Sequence, residues 1–401
     1  MPFNLLHAIC RLLLCERRLF SVQKVTCGGA KGRLRRGVPP KYKLLQFTAR
    51  CFRVSHFLAN FALMNRLLPL CLALVLACSC SRQTPEGATF TIETLNKTTP
   101  VKDQGRSPLC WLYAMLATIE SDRLMMGDSV NLSPHFVARA MLADMATRRY
   151  FTRGGSAVTA DGTAADALAC IGQYGLMPYD AYRSECNYSA LCRKLEAVAG
   201  SAAARKAGVE SMTGTVEYTL DTAIGPLPRH IWMYGMEYTP AQFAGSILSP
   251  SDYVPMTSYT HKPFWHDVVL DVPVNRRGLR FLNVPVDTLA ARVEAALRSG
   301  RSVCWEGDIT NAGFSFDEGV ARLPGQPVRV TQDMRQRAFE RFEVTDDHCM
   351  ELIGTARDAR GGLYFVCKNS WGTDNPYGGL MYMSLPYFRL NTVAVVVKRL
   401  Q

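Results

Sequence analysis

Four residues, widely separated along the chain, carry side chains that could together hydrolyse an amide bond. Gln104 lies shortly before Cys110, and His348 and Asn369 follow far downstream. A thiol attacks carbonyls as its thiolate, so a nearby imidazole must hold the proton and a third group must orient the imidazole. A side-chain amide beside the thiol can donate a hydrogen bond to the oxyanion formed during attack. The four residues therefore predict nucleophilic catalysis by Cys110.

The residues after Cys110 have helical periodicity, which predicts that its thiol lies in the first turn of a buried helix. Apolar side chains recur at three- and four-residue steps from Trp111 to Ile119, and Gly127 is a suitable stop. The dipole and free N–H groups of a helix N-terminus lower the pKa of a thiol. The alternative is a small core cysteine, the usual fate of a free thiol. Gln104 and Trp111 favour the catalytic interpretation.

His348 and Asn369 are predicted to lie on the two strands of one hairpin. The segment after His348 is apolar and ends at Gly354, a turn-like stretch follows, and a strand begins at Leu363. Pairing the strands around that turn sets Gly354 opposite Leu363 and His348 opposite Asn369. Directly opposed residues lie about 5 Å apart at their Cα atoms. An isolated histidine is more often an exposed loop residue, but this register predicts a His–Asn contact.

These motifs resemble those of the papain superfamily of cysteine peptidases. Trp111 follows the cysteine, and Asn369 stands in Lys-Asn-Ser-Trp-Gly. The interval from Cys110 to His348 is longer than the roughly 130–150 residues usual in papain and the cathepsins. It resembles the bleomycin hydrolase and aminopeptidase C branch, and the likeness covers about residues 90–401. The resemblance implies an α+β, papain-like fold of two halves with a long insertion between Cys and His.

The resemblance also implies a role for each of the four residues. Cys110 would be the nucleophile, His348 the acid/base and Asn369 the group that orients it. Gln104 and the backbone N–H of Cys110 would form the oxyanion hole. The sequence departs from the papain pattern before the nucleophile, where Ser-Pro-Leu replaces the usual Cys-Gly-Ser. Pro108 thus replaces a glycine beside the expected substrate cleft.

Further site residues follow from the same resemblance. Asp161 and Gly162 correspond to a substrate-binding segment whose glycine backbone pairs with the substrate main chain. Trp111 and Trp371 would shield the site, Trp371 by covering the His–Asn hydrogen bond from water. The mechanism needs no organic cofactor and no metal. The sequence contains no phosphate-binding loop or dinucleotide fingerprint.

The formal net charge of +12 is confined to the N-terminal part of the chain. Residues 1–63 hold 12 Lys and Arg and one acidic residue, whereas 79–401 hold 33 of each sign. The neutral main part gives no reason to expect a nucleic-acid partner. We interpret 1–63 as a start-site extension outside the fold, with a basic presequence as the alternative.

Residues 64–78 resemble a bacterial lipoprotein signal peptide. Met64-Asn-Arg precedes an apolar run of eleven residues, which is too short to span a bilayer. The run ends in Val-Leu-Ala-Cys, with Cys78 as the expected lipidated residue. Residues 79–89 then form a small and polar tether. The expected location is the bacterial cell envelope, outside the cytoplasm and anchored to the membrane through Cys78.

The remaining chain divides into three predicted parts. Residues 90–207 form the helical half with the nucleophile, 208–285 the insertion, and 286–401 the β half with His348 and Asn369. The predicted function is a cysteine-type peptidase acting on peptides or proteins. The alternatives are a catalytically inactive, peptide-binding lipoprotein of the same fold, or a thiol redox protein, which would need a Cys-x-x-Cys pair that the folded region lacks.

The expected cleavage mode differs from that of the branch it resembles. In bleomycin hydrolase-like enzymes a C-terminal arm enters the cleft, and its carboxylate meets the free amine of the substrate. Here a predicted last strand at Val393–Val397 is followed by Lys398 to Gln401, which reach at most about 14 Å and begin with two cations. The sequence therefore predicts a cleft that accepts N-terminally blocked peptides, with endopeptidase activity at least comparable to aminopeptidase activity.

Overall fold

The computed structural model describes residues 89–228, 230–233, 235–325 and 329–399. The predicted extension 1–63, the signal segment 64–78 with Cys78, and residues 79–88 of the tether lie outside this range. The described residues belong to one compact unit. None of the helices in this part of the chain is long and apolar enough to cross a membrane.

Helices dominate the first half of the described chain and strands the second, which gives the expected α+β architecture. The helices are α1 (Cys110–Met125), α2 (Pro134–Phe151), α3 (Ala164–Tyr174), α4 (Tyr188–Ala204), α5 (Val209–Ala223), α6 (Pro240–Ile247), α7 (Val286–Arg298), α8 (Gln332–Glu340) and α9 (Leu385–Asn391). The strands are β1 (Phe90–Leu95), β2 (Ile231–Met233), β3 (Met236–Tyr238), β4 (Tyr253–Thr257), β5 (Asp267–Val269), β6 (Arg280–Asn283), β7 (Val303–Gly307), β8 (Phe314–Ser315), β9 (Val320–Ala321), β10 (His348–Asp358), β11 (Leu363–Lys368), β12 (Leu380–Ser384) and β13 (Thr392–Lys398).

Eleven of these strands form one mixed sheet, in which β10 is central. The order is β5-β6-β4-β13-β7-β10-β11-β12-β9-β8, and β1 pairs with the second half of β10. Most neighbours are antiparallel; β4–β6 and β9–β12 are parallel. Because β10 is bordered on both sides, the residues at its start are held by strand hydrogen bonds as well as by packing.

Helix α1 lies in the interior, between the helical half and the sheet. Every residue from Trp111 to Asp122 is buried, and the helix packs against β10 and β7. A helix that is buried on all sides needs small and apolar residues all round, which explains why Ala, Met and Leu recur on every face. The prediction of a buried helix beginning at Cys110 is confirmed; it ends at Met125, just before Gly127.

Secondary structure is mixed across the predicted parts of the chain. Residues 90–95, at the start of the predicted helical half, form strand β1, and helix α5 lies at the start of the predicted insertion. Strands β4, β5 and β6, from 253–283, belong to the main sheet, so the β half does not begin at 286. Pairing with distant strands decides these assignments, and local periodicity does not report it.

The hairpin forms, but its predicted register was wrong by two residues at the site end. Strand β11 begins at the predicted Leu363, whereas β10 runs on to Asp358, so Gly354 pairs with Val366 instead of Leu363, a shift of three residues. A bulge between Leu352 and Gly354 reduces the shift to two residues at the site end, where Leu352 lies opposite Cys367. The Asp358 carboxylate accepts hydrogen bonds from two backbone N–H groups of the turn, which keeps the turn short. A two-residue shift leaves each side chain on the same face, so the predicted His–Asn contact survives the error.

Candidate active site

Cys110 and His348 meet where the first turn of α1 faces the start of β10. Cys110 is the first residue of α1, and its N-cap residue Leu109 makes no side-chain capping bond. The N–H groups of that first turn therefore have no capping side chain as partner. Cys110 is half-buried and a free thiol. His348 is buried as the first residue of β10, paired with Gly307 of β7.

Asn369 orients the imidazole of His348. The His348 Nε2 and Asn369 Oδ1 atoms lie 2.8 Å apart, and both residues are buried. Asn369 Oδ1 also accepts the Ser370 backbone N–H at 2.8 Å. With Nε2 engaged by the asparagine, Nδ1 is the ring atom that can exchange a proton with the thiol.

Trp371 covers the histidine. Its ring centroid lies 4.8 Å from that of His348, and Phe314 and Phe316 pack edge-on against the indole. This apolar cover excludes water from the side of the imidazole, which strengthens the His–Asn hydrogen bond. Trp371 therefore lies where the sequence predicted a shielding residue.

Gln104 is fixed beside the strand end that carries Asn369. Its backbone N–H donates to the Ser370 carbonyl at 2.8 Å, and its Oε1 accepts the Ser370 hydroxyl at 2.6 Å. Its Nε2 donates to the Ser107 carbonyl at 2.7 Å. An amide nitrogen has two hydrogens, so one remains for an oxyanion. These bonds tie the segment before Cys110 to the segment after Asn369.

The pKa of Cys110 is lowered well below that of an ordinary thiol. The largest cause is a hydrogen bond from the thiol of Cys349; burial opposes it, and the neighbouring His348 lowers the pKa further. Cys349 follows the histidine on β10 and is buried, and burial raises its own pKa well above the usual value. It therefore stays protonated and can donate to a Cys110 thiolate. Cys349 was not among the predicted site residues, although it is adjacent to His348.

The segment predicted to bind substrate lies against Trp111. The indole N–H of Trp111 donates to the Ala160 carbonyl at 3.0 Å. A Cβ at Gly162 would come within 3.2 Å of the same ring, which is tighter than most real contacts, so glycine suits this position. Through Trp111, the 160–162 segment is held close to the first turn of α1.

Asp161 does not present a free carboxylate. Its two oxygens accept hydrogen bonds from Arg276 at 2.8 and 2.9 Å. Burial raises the pKa of Asp161, but the guanidinium outweighs it and the net pKa is below the usual value. Asp161, within the predicted substrate-binding segment, is thus a partner of Arg276.

Glu306 and Asp346, two acidic residues that were not predicted as site residues, lie close to Cys110. Glu306 of β7 is fully buried, and its Oε2 accepts the Ala164 backbone N–H at 2.8 Å. Asp346 is half-buried and precedes His348 by two positions. Burial raises the pKa of Glu306 to about 7 and that of Asp346 well above its usual value. A glutamate inside the apolar β7 run was the available sequence signal.

A second group of buried charges lies next to the strand end that carries Asn369. Lys102 Nζ contacts Glu120 Oε1 of α1 at 2.6 Å, and Lys368 Nζ lies 3.6 Å from Glu351 Oε2 of β10. The Lys368 ammonium also donates to the hydroxyls of two threonines in the 98–99 segment at 2.9 Å. Since Lys368 directly precedes Asn369, this network fixes the strand end that presents the asparagine.

The fold is that of the papain-like cysteine peptidases. The model of the Peptidase C1-like family matches residues 237–401. The crystal structure of pepw from Lactobacillus rhamnosis HN001 is similar over 78% of this chain and 83% of that chain, with 20% identity and a TM-score of 0.60.

Weaker matches include procathepsin L 3 from the larval midgut of Tenebrio molitor, at 17% identity over 79% of this chain and 72% of that chain, with a TM-score of 0.41. The bromelain protease from Ananas comosus matches at 14% identity over 76% and 94%, with a TM-score of 0.36. No curated protein matches the sequence.

Proposed function

We propose that the chain is a cysteine-type peptidase that hydrolyses peptide bonds at Cys110, His348 and Asn369. The observation that carries the proposal is the 2.8 Å contact between His348 Nε2 and Asn369 Oδ1 beside a thiol whose pKa is lowered. A lowered thiol pKa and an oriented imidazole are the two requirements of thiolate attack. The family match and the papain-like fold agree with this reaction class.

In the proposed reaction, the Cys110 thiolate attacks the scissile carbonyl while His348 holds the thiol proton. A carbon–sulfur bond forms, and His348 gives the proton to the departing amine as the carbon–nitrogen bond breaks. Water then attacks the thioester with His348 as base, which releases the carboxylic acid and restores the thiol. Gln104 and the Cys110 backbone N–H stabilise the oxyanion of each tetrahedral intermediate.

The test compares the full chain with Cys110→Ala on short fluorogenic peptides. The variant should lose turnover by at least about a thousandfold while keeping its fold, because removal of a nucleophile leaves only binding and the oxyanion hole. Cys170→Ala is the matched control, since Cys170 is buried, its pKa is raised to about 11, and it lies in α3. Iodoacetamide at mildly acidic pH should label Cys110 first.

The inactive, peptide-binding alternative gives a different result in the same experiment. It predicts that the unmodified chain binds the peptides without turnover and that iodoacetamide labels Cys110 no faster than Cys186, which is also half-buried. Turnover that persists in Cys110→Ala would instead refute the assignment of the nucleophile.

For cleavage mode, we propose a cleft that accepts N-terminally blocked peptides. Thr392 of β13 pairs with Gly307 next to His348, so β13 runs away from the site. At its far end Lys398 lies 3.7 Å from Asp122, and Arg399 donates to the Asp252 carbonyl at 2.8 Å. Hydrolysis of acetylated and free peptides at comparable rates would support this mode; cleavage of free-amine substrates alone would contradict it.

For location, we propose a lipid anchor at Cys78 in a bacterial envelope, on the basis of the signal-peptide pattern alone. Two or more acyl chains suffice for stable membrane binding. Expressed from Met64 in a bacterial host, the protein should incorporate labelled palmitate, and Cys78→Ser should prevent it. Label retained by that variant would refute the anchor.

A further inference from the structure

Cys110 and Cys349 bring two thiols together in the interior of the site. The Cys349 thiol and the Cys349 backbone N–H both hydrogen-bond to the Cys110 sulfur. The two residues belong to elements that pack directly against each other, the first turn of α1 and the start of β10. Cys349 lies in the apolar cluster between these elements, and Cys110 packs against that cluster. The contact between the thiols is therefore held by the core of the fold.

A disulfide between these two residues requires only a small side-chain movement. The sulfurs of a disulfide lie about 2 Å apart, and thiols in hydrogen-bond contact need to approach only slightly to reach that separation. A small internal cavity borders Cys349, Ala114 and Asn369, which gives the Cys349 side chain room to rotate. Cys304 of β7 lies in the same cluster, but it affects Cys110 only through its charge and makes no hydrogen bond with it. Cys349 is therefore the partner that the geometry selects.

The two thiols differ in their access to solvent and in their reactivity. Cys110 is half-buried and its pKa is lowered, so a small oxidant can reach a reactive thiolate. Cys349 is only 3% exposed, and burial raises its pKa well above the usual value. Cys110 should therefore be oxidised first, and Cys349 should react with the product. This is the arrangement of a redox-sensitive cysteine beside a resolving cysteine.

We propose that Cys110 and Cys349 form a reversible disulfide when a hydroperoxide reaches the site. The inference rests on the proposed function in one respect, because a loss of peptidase activity follows only if Cys110 is the nucleophile. The disulfide removes the thiolate and so stops peptide hydrolysis. It also prevents further oxidation of Cys110 to sulfinic acid, which thiol reductants do not reverse. A dithiol reductant restores both thiols by exchange, and with them the activity.

The proposed reaction has two steps, with the hydroperoxide as oxidant. In the first, the Cys110 thiolate attacks a peroxide oxygen; a sulfur–oxygen bond forms, the oxygen–oxygen bond breaks, and the leaving oxygen takes the thiol proton held by His348. In the second, the Cys349 sulfur attacks the resulting sulfenic acid; a sulfur–sulfur bond forms, the sulfur–oxygen bond breaks, and the departing hydroxide takes the Cys349 proton as water. Burial keeps Cys349 largely protonated, but its fixed contact with Cys110 gives it a high effective concentration.

The experiment treats the fully reduced chain with excess hydrogen peroxide, removes the peroxide with catalase and divides the sample. One part is alkylated with iodoacetamide and digested, and mass spectrometry identifies the disulfide-linked peptides and the oxidation state of Cys110. In the other part, turnover of a fluorogenic peptide is measured before and after addition of dithiothreitol. Each activity is expressed relative to that of the same protein before oxidation.

The unmodified chain should yield a peptide pair linked through Cys110 and Cys349, lose activity by at least about tenfold, and recover most of it with dithiothreitol. Cys349→Ser keeps a hydrogen-bond donor beside the thiolate but cannot form the disulfide. Its Cys110 should proceed to sulfinic acid, so the recovered activity should be at least about fivefold lower. Cys304→Ser is the matched control: it replaces a buried thiol of the same cluster and should recover as the unmodified chain does.

Cys349→Ala should show the same loss of recovery, and it covers the case in which a buried serine disturbs the fold. The inference fails if the unmodified chain forms no Cys110–Cys349 disulfide, if Cys304 is the linked partner, or if both Cys349 variants recover as fully as the unmodified chain. These results leave the peptidase proposal intact when the chain hydrolyses peptide before oxidation. A chain that forms the disulfide but never hydrolyses peptide would support the thiol pair and refute the proposed function.

Discussion

Two groups of buried charges lie near the Cys110–His348 site, and they differ in how their charges are balanced. In the lysine-paired group, the Lys102 ammonium lies 2.6 Å from the Glu120 carboxylate, and the Lys368 ammonium lies 3.6 Å from the Glu351 carboxylate. Beside the site, Glu306 and Asp346 face one another and hydrogen-bond to each other, and burial raises the pKa of both. Residues of both groups lie on β10 or pair with it, so the two groups have similar surroundings but differ in net charge.

The difference separates two ways in which this fold accommodates a buried acid. The two lysines connect α1, β10 and the 98–102 segment, so they position the strand end that carries Asn369. The Glu306–Asp346 pair instead accommodates its burial by holding a proton, because burial raises the pKa of both carboxyls. The contrast predicts opposite responses when a charge is removed from each group.

The largest expected effect is a loss of stability in the lysine-paired group. Lys368→Met should lower the free energy of unfolding by about 3–5 kcal/mol, because it leaves Glu351 buried without its cation. The matched control is Lys97→Met, an exposed lysine of the same segment of the fold, which should change stability by less than about 0.5 kcal/mol. Urea unfolding at pH 7 measures both. Equal effects would remove the distinction between paired and unpaired buried charge.

In the Glu306–Asp346 pair, removal of a charge should have the opposite effect and raise the free energy of unfolding. The pKa of Glu306 is raised to about 7, above its value of about 4.3 in an unfolded chain. The folded state therefore keeps a proton that the unfolded state loses, so stability falls as pH rises from about 4.3 through 7. Glu306→Gln should flatten this fall and be more stable than the unmodified chain at pH 8 by on the order of 2–3 kcal/mol.

Unfolding midpoints measured between pH 5 and 8 check this expectation, with the exposed Glu318→Gln as control. Because Asp346 titrates in the same direction, the variant should retain part of the slope. If the Glu306→Gln variant is less stable than the unmodified chain at pH 8, then the Glu306 carboxylate has a partner that stabilises it.

A smaller effect is expected at the thiol itself. Cys349→Ala removes the hydrogen bond that contributes most to the low pKa of Cys110, so the pKa of Cys110 should rise. The pH profile of iodoacetamide alkylation at Cys110 should move to higher pH as a result. Cys367→Ala, a buried thiol on β11, is the control. An unchanged profile would assign the lowered pKa to His348 and the helix terminus alone.

The positions of Cys110, His348 and Asn369 could be predicted from the sequence because each has a local signal. A helical period follows Cys110, an apolar strand follows His348, and turn residues separate that strand from β11. The hairpin error of two residues left the His–Asn contact intact because a strand repeats every two residues. Local patterns were therefore sufficient for these residues even though the register was wrong.

The residues beside the nucleophile could not be predicted in the same way. Glu306 reaches the site because β7 pairs with β10, and a pairing between strands far apart in sequence leaves no local pattern. The strands of 253–283 were missed as members of the main sheet for the same reason. Asp161 was predicted as a substrate-binding residue, but the position of its partner Arg276 depends on the folded middle region.

The Asp161–Arg276 pair provides the smallest expected effect and tests whether burial governs the others. Its geometry is good, with two hydrogen bonds, but both side chains are more than a third exposed. Exposed ion pairs contribute about 0–1 kcal/mol because water screens them. Arg276→Met should therefore lower the free energy of unfolding by less than about 1 kcal/mol, similar to the control Arg280→Met, which replaces the exposed first residue of β6. Urea unfolding measures both variants beside Lys368→Met. If Arg276→Met is as damaging as Lys368→Met, then geometry, rather than burial, determines what a charge pair contributes in this protein.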